Sequence, residues 1–312
     1  MAGFFMRRVY RNLTAFLDTA MSRPNSSSIL LPIGVLIVAM ASIQGGAALA
    51  KSLFPLVGAE GTTALRLSLA AIILTVIMRP WRAHLTASSC RSLLAYGVSL
   101  GGMNLLFYMS LQTVPLGIAV ALEFTGPLTL ALLSSRRWLD LLWIGIAAFG
   151  IWLLLPITQT QTPIDPLGMA YALGAGLCWA LYIIFGQKAG AEHGGQTVAL
   201  GTIVAAAVVF PIGLVHTGDA LFSWSLLPIA LGVAVLSSAL PYSLEMVALT
   251  RLPARTFSTL MSIEPAIAAL SGLLFLHEQL SPEQWLAIAA IIIASTGAAA
   301  TVQAKVKVPR DI

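Results

Sequence analysis

Of the 312 residues, 58% are hydrophobic and only 9% are charged, and the mean hydropathy is +0.90. A soluble domain carries about 25% charged residues, so this composition excludes a water-soluble protein and demands burial in lipid. The net charge of +5 invites a nucleic-acid reading, which the placement of the basic residues removes below.

Residues 1–28 form a basic, mixed leader with Arg7, Arg8, Arg11 and Arg23 among Phe4, Phe5, Val9 and Tyr10. It lacks the unbroken apolar run and small-residue cleavage site of a signal peptide, and a poorly ordered cytoplasmic tail is expected. From Leu31 onward the chain becomes a train of apolar blocks, each near the 20 residues that cross ~30 Å of hydrocarbon. The predicted spans are 31–53, 59–78, 92–113, 115–134, 138–156, 166–187, 197–215, 225–249, 253–275 and 282–302. Short linkers such as Phe54-Pro55-Leu56-Val57-Gly58, Gln112-Thr113-Val114-Pro115 and Pro163-Ile164-Asp165-Pro166 read as turns.

With the N-terminus inside and the spans alternating, all Lys and Arg except Lys51 and Arg66 fall in inner loops and tails. Outer loops carry Glu60, Asp165, Asp219, Glu278 and Glu283 instead. This positive-inside pattern predicts that both termini are cytoplasmic. It also accounts for the basic balance as topology, so no nucleic-acid partner is expected.

The chain repeats itself. Thr113-Val114-Pro115 to Gly126-Pro127 corresponds to Arg251-Leu252-Pro253 to Glu264-Pro265, both prolines recurring 138 residues later, and Asp140 falls on Glu278 at the same offset. Gly97-Val98-Ser99-Leu100 likewise matches Gly232-Val233-Ala234-Val235. Two halves of five spans must lie in opposite senses because five is odd. The expected fold is therefore an all-α membrane protein of ten transmembrane helices built as a 5+5 inverted repeat. Its predicted parts are an N-terminal tail (1–28), a first five-helix repeat (29–157), a second (158–303) and a cytoplasmic C-terminal tail (304–312). Inverted repeats with interrupted helices at mid-depth are the architecture of secondary transporters.

These features, with the runs Val38-Ala39-Met40-Ala41-Ser42-Ile43-Gln44-Gly45-Gly46-Ala47, Val114-Pro115-Leu116-Gly117-Ile118-Ala119-Val120-Ala121-Leu122-Glu123-Phe124-Thr125-Gly126-Pro127 and Leu240-Pro241-Tyr242-Ser243-Leu244-Glu245-Met246, resemble the EamA-type branch of the drug/metabolite transporter superfamily over about residues 29–303. Within that branch the resemblance implies export of small amino acids, of the threonine and homoserine type, across the bacterial inner membrane by proton antiport. Efflux of another small metabolite or an amphipathic drug by the same fold remains the alternative.

The residues themselves propose a site. Arg66 in span 2 and Glu123 in span 4 lie at matching depth with opposite charge, so they are expected to neutralise one another or to take the carboxylate and ammonium of a zwitterion. A guanidinium fork suits a carboxylate better than an ammonium point charge would. Glu264, immediately before Pro265 near the midplane, is a candidate proton carrier because a lone charged carboxylate at that depth is costly. Glu123 is a second candidate. Glu245, close to an inner helix end, is a third, with pairing to Arg251 or Arg255 as the simpler role. Gln44, Asn104, Tyr108, Trp179, Tyr182, Tyr242 and Ser243 project near mid-depth and are candidates for substrate contact. Glycine pairs such as Gly45-Gly46 and Gly101-Gly102 read as close-packing faces, and Trp81, Trp138, Trp143, Trp224 and Trp285 as interfacial anchors. Glu278 and Glu283 are expected to solvate the turn between spans 9 and 10.

No cofactor is expected. There is no phosphate-binding glycine loop, and His84, His193, His216 and His277 fall on both sides of the membrane, where they cannot hold one metal. Cys90 and Cys178 suggest no disulfide framework. No nucleophile–base constellation is visible, so an enzyme is not expected. The partners implied are a small amino acid, protons and the lipid bilayer, as monomer or homodimer.

Overall fold

The computed structural model describes residues 30–82, 87–134, 138–154, 165–193, 196–241, 244, 245, 248 and 260–302. The two tails, and with them Arg251, Arg255, Tyr242 and Ser243, lie outside the described residues. Those described fold into ten α-helices, with no strand among them. In chain order these are α1 (Leu30–Lys51), α2 (Phe54–Met78), α3 (Ala87–Ser110), α4 (Leu116–Ser134), α5 (Leu139–Leu154), α6 (Pro166–His193), α7 (Gln196–Thr217), α8 (Leu227–Ala234), α9 (Glu264–Leu276) and α10 (Pro282–Val302). A π-helical turn, Val235–Ala239, continues α8. Among the described residues five stretches are long and apolar enough to cross a membrane: Leu31–Lys51, Phe54–Met78, Ser89–Ser110, Pro166–Gly190 and Gln196–Phe222. The apolar stretches Leu116–Leu130, Leu141–Leu154, Trp224–Ala239 and Glu264–Leu276 are shorter.

A helix suits this composition because it satisfies every backbone polar group within its own segment. Hydroxyls inside the apolar helices are mostly satisfied the same way. Thr62 donates to the Gly58 carbonyl, Thr63 to Ala59 and Ser99 to Ala95, so these polar residues carry little outward chemistry.

Three departures from the predicted spans shape the interior. First, α2 begins at Phe54, ahead of the predicted start, and kinks at Gly58, whose φ of 67° suits a residue without a Cβ. Second, span 8 is not one regular helix: its ladder widens into the π-helical turn at Val235–Ala239. Third, a turn at Ser262–Ile263 interrupts the chain just before Glu264, which becomes the first residue of α9 with Pro265 second. Proline is tolerated in a first turn, where its missing N–H would have no partner.

Packing follows the small residues. α4 and α6 cross at Gly126 and Gly176, where a Cβ on either glycine would run into the other helix's backbone. Such backbone contact is the usual basis of helix association in lipid. Gly46 of α1 sits close against Ser237 in the π-helical turn, where an added Cβ would meet the Ser237 hydroxyl. α2 packs along α7, α3 along α6 and α7, α5 along α10, and α9 against α4 and α1. The largest buried cluster gathers the C-terminal part of α1, the start of α2, the α3–α4 turn around Leu111 and Val114, and Leu226 ahead of α8.

The helix ends are tied by two carboxylates. Asp165 caps α6 by accepting from the Leu167 and Gly168 amides, and it also accepts from the Thr113 hydroxyl at 2.9 Å. The Thr113 bond, helped by those amides, holds its carboxyl below the usual carboxylate range. Glu278 was expected to be solvated. Instead it accepts from Lys51 Nζ and from the Leu116 amide, both at 2.8 Å, and so joins the ends of α1, α4 and α9. The sequence offers no hint of this, because the amide at the N-terminus of α4 becomes a partner only through the fold. The Trp143 ring packs against Gly297 of α10.

Candidate functional site

A cavity of about 220 Å³ lies inside the bundle. Its wall takes Gln44 from α1, Arg66 from α2, Asn104 and Tyr108 from α3, Glu123 from α4, and Trp179 and Tyr182 from α6. Ser237 from the π-helical turn, then Glu245 and Glu264, complete it. Every sequence-predicted site residue among those described is therefore on one wall; Tyr242 and Ser243 lie outside the described residues. Sequence reasoning passed over Ala47, Phe107, Val120 and Met261, which also line the cavity. Ala47, Phe107 and Val120 lie three residues from Gln44, Asn104 and Glu123, a helical spacing that shares a face and could have found them; Met261 is separated from Glu264 by the turn at Ser262–Ile263. Ile43, Met103 and Ser237 were missed as well. The Ser237-Ser238 pair inside an apolar run was the one polar signal available for the last.

The break before Glu264 makes it the first residue of α9, with its side chain buried inside the bundle. Gln44 Nε2 donates to Glu264 Oε1 at 3.0 Å, a bond between the two halves of the chain.

Arg66 does not form the expected ion pair with Glu123. Its Nη1 donates to Asn104 Oδ1 at 2.6 Å and its Nη2 to the Ser237 carbonyl at 3.1 Å. Its guanidinium carbon stands 5.2 Å from the centre of the Tyr108 ring, within cation–π range. Among the described residues the only ion pair joins Lys51 and Glu278. The reason is local. The π-helical turn aims a backbone carbonyl at Arg66, and Asn104 is oriented by its own Nδ2, which donates to the Leu100 carbonyl at 2.8 Å. Glu123 remains on the wall, buried, beneath the α4–α6 crossing.

Aromatic contacts frame the remaining wall. Trp179 meets Phe124 edge-on at 5.2 Å, and Tyr182 stacks on Tyr96 at 4.9 Å with their hydroxyls 3.4 Å apart. Six buried side-chain polar atoms among the described residues lack a hydrogen-bond partner. Five of them, Gln44 Oε1, Arg66 Nε, Tyr108 OH, Ser237 Oγ and Glu264 Oε2, belong to residues on this wall. Buried polar atoms are otherwise almost always paired, so their concentration here marks a chamber built for polar contents. One guanidinium faces three carboxyls, Glu123, Glu245 and Glu264, around a largely apolar space. Among the described residues no group of His, Cys, Asp and Glu is arranged to hold a metal.

Comparison with known proteins agrees with this architecture. Residues 166–299 match the EamA-like transporter family. The chain is 61% identical over 278 residues to the threonine/homoserine exporter RhtA of Escherichia coli (strain K12), covering 89% of this chain and 94% of that protein. It is 62% identical over 273 residues to the RhtA exporter of Salmonella typhimurium (strain SL1344), covering 88% and 92%. A solved crystal structure that is 15% identical superposes with a TM-score of 0.58 over 87% of this chain and 98% of the other, and so shares the fold.

Proposed function

The chain belongs to the EamA-like transporter family, and from that premise we propose that it exports small amino acids of the threonine and homoserine type across the bacterial inner membrane. The relatives' names supply the substrate class. The observation that carries the mechanism is the buried chamber that sets Arg66 against Glu123, Glu245 and Glu264. A zwitterion meets both signs there, its carboxylate on the Arg66 fork and its ammonium toward Glu123. Trp179 and Tyr108 cover its apolar part, and the hydrogen-bonding groups of Gln44, Tyr182, Tyr242 and Ser243 take a side-chain hydroxyl.

The ten helices act as two inverted five-helix halves with both termini cytoplasmic. The packing supports this reading, because pairings recur when α1–α5 are exchanged with α6–α10. α2–α7, α5–α10 and α4–α9 map onto themselves; α3–α6 is mirrored by α8–α1, α4–α6 by α9–α1, and α3–α7 by α8–α2. Such a pair of halves can rock about a central site and expose it to each side in turn. Glu264, with Glu123 and Glu245, carries the proton of an antiport cycle: protonation from outside disfavours the ammonium and promotes release. Coupling requires that proton and solute bind the two states with different affinity.

The test is counterflow in proteoliposomes loaded with unlabelled threonine, with a labelled panel of threonine, homoserine, leucine and a planar cationic drug outside. Accumulation of labelled threonine and homoserine is expected. No accumulation of the amino acids, with drug accumulation only in vesicles loaded with unlabelled drug, supports the alternative of drug efflux by this fold.

A further inference from the structure

Arg66 is 7% exposed and uses its two terminal nitrogens on two neutral oxygens, Asn104 Oδ1 and the Ser237 carbonyl, while its Nε is buried with no partner. The N–H bonds of Nε and Nη2 lie side by side on one edge of the guanidinium plane, the edge that grips both oxygens of a carboxylate. On that edge Nε is free, while Nη2 donates to a backbone carbonyl at 3.1 Å.

The two neutral partners differ in how firmly they are held. Asn104 is anchored at its far end to Leu100 within the continuous helix α3, and its bond to Arg66 is the shorter. The Ser237 carbonyl is available because the π-helical turn widens the backbone ladder there, a feature often found at functional sites. The adjacent Leu236 carbonyl is held from α1 by the Ser42 hydroxyl at 2.7 Å. The π-helical turn is thus tied to α1 by one carbonyl and to α2 by the next.

We propose that the substrate carboxylate binds the Nε–Nη2 edge of Arg66 by displacing the Ser237 carbonyl, while Asn104 keeps Nη1 as a positioning residue. This rests on the amino-acid reading above. A charged carboxylate is a stronger acceptor than a neutral carbonyl, so the exchange favours ligands with a free carboxylate. Occupancy removes the hydrogen bond between the π-helical turn and α2 and leaves the one to α1 intact. Binding is thereby converted into freedom of the π-helical turn, Val235–Ala239.

The experiment uses the full-length protein in nanodiscs, with threonine and threoninamide, which keeps the ammonium but replaces the carboxylate with a neutral amide. Two readouts are taken: binding of each ligand, and backbone hydrogen exchange across residues 235–241. In the wild type, threonine is expected to raise exchange in that segment and threoninamide to leave it unchanged. Asn104→Asp supplies Nη1 with a competing permanent carboxylate, so threonine affinity is expected to fall about tenfold and threoninamide affinity by less than about twofold. Threonine binding with unchanged exchange at 235–241, or equal losses for both ligands in Asn104→Asp, overturns the displacement and leaves amino-acid binding standing. Failure of the wild type to bind threonine at all overturns the functional reading and this inference together. Should Asn104→Asp not fold, the wild-type exchange comparison still decides.

Discussion

Glu264 and Gln44 bond across the chamber at 3.0 Å, and each keeps one polar atom without a partner. Glu264→Gln keeps the shape and retains an acceptor for Gln44, but cannot release a proton. The expected outcome is that export no longer responds to an imposed pH gradient while threonine counterflow persists. Gradient-driven export at the wild-type rate in that variant would remove Glu264 from the coupling. At this scale the sequence was informative where a residue is unusual for its surroundings: Arg66, Glu123, Glu264, Gln44 and Asn104 stand out in apolar runs, and all reach the cavity wall. Partners were not legible. Matching depth and opposite charge paired Arg66 with Glu123, whereas a side-chain amide and a backbone carbonyl hold it. Neither acceptor can be read without knowing how α3 and the π-helical turn approach α2. Tyr108 was marked for its polar tip, yet it is fully buried and also places its ring face near the guanidinium.

Helix contacts in this protein depend on missing side chains and on caps borrowed from distant elements. Gly126→Ala pushes a methyl group into the Gly176 backbone; overpacking of this kind costs about 1–3 kcal/mol, and a lowered melting temperature in detergent is the expected reading. Because Glu123 lies on the same helix one turn away, threonine binding should weaken as well. Glu278→Ala leaves the Leu116 amide uncapped and Lys51 unpaired, and loss of a cap costs about 1 kcal/mol. Its melting temperature should fall more than that of Glu283→Ala, whose carboxylate stands on the exposed first turn of α10. Hydropathy made the apolar spans visible, but their irregularities escaped it. An extra residue in a π-helical turn, a kink at Gly58 or a new start at Glu264 scarcely alters a 20-residue average. Proline before or after a polar residue was the useful warning, and at Pro265 it marked the break.

The whole molecule is best understood as two halves that enclose what neither could hold alone. Gln44, Arg66, Asn104 and Glu123 come from the first half, and Trp179, Ser237, Glu245 and Glu264 from the second. The displacement between Pro127 and Pro265 is the sequence basis of the proposed two-repeat division, and the basic loops set its expected orientation. A reporter fused to the C-terminus should therefore be active only as a cytoplasmic fusion. The proposed substrate class was beyond composition and spacing, which reach only a small polar solute; it rests on long residue runs that resemble amino-acid exporters. The central claim is that a zwitterion is recognised through the Arg66 fork inside this chamber. The most direct measurement is labelled-threonine counterflow in proteoliposomes of Arg66→Leu beside the wild type, at matched protein incorporation. Loss of a charge-assisted fork should reduce exchange at least about tenfold. Exchange by Arg66→Leu at the wild-type rate and affinity would contradict the account.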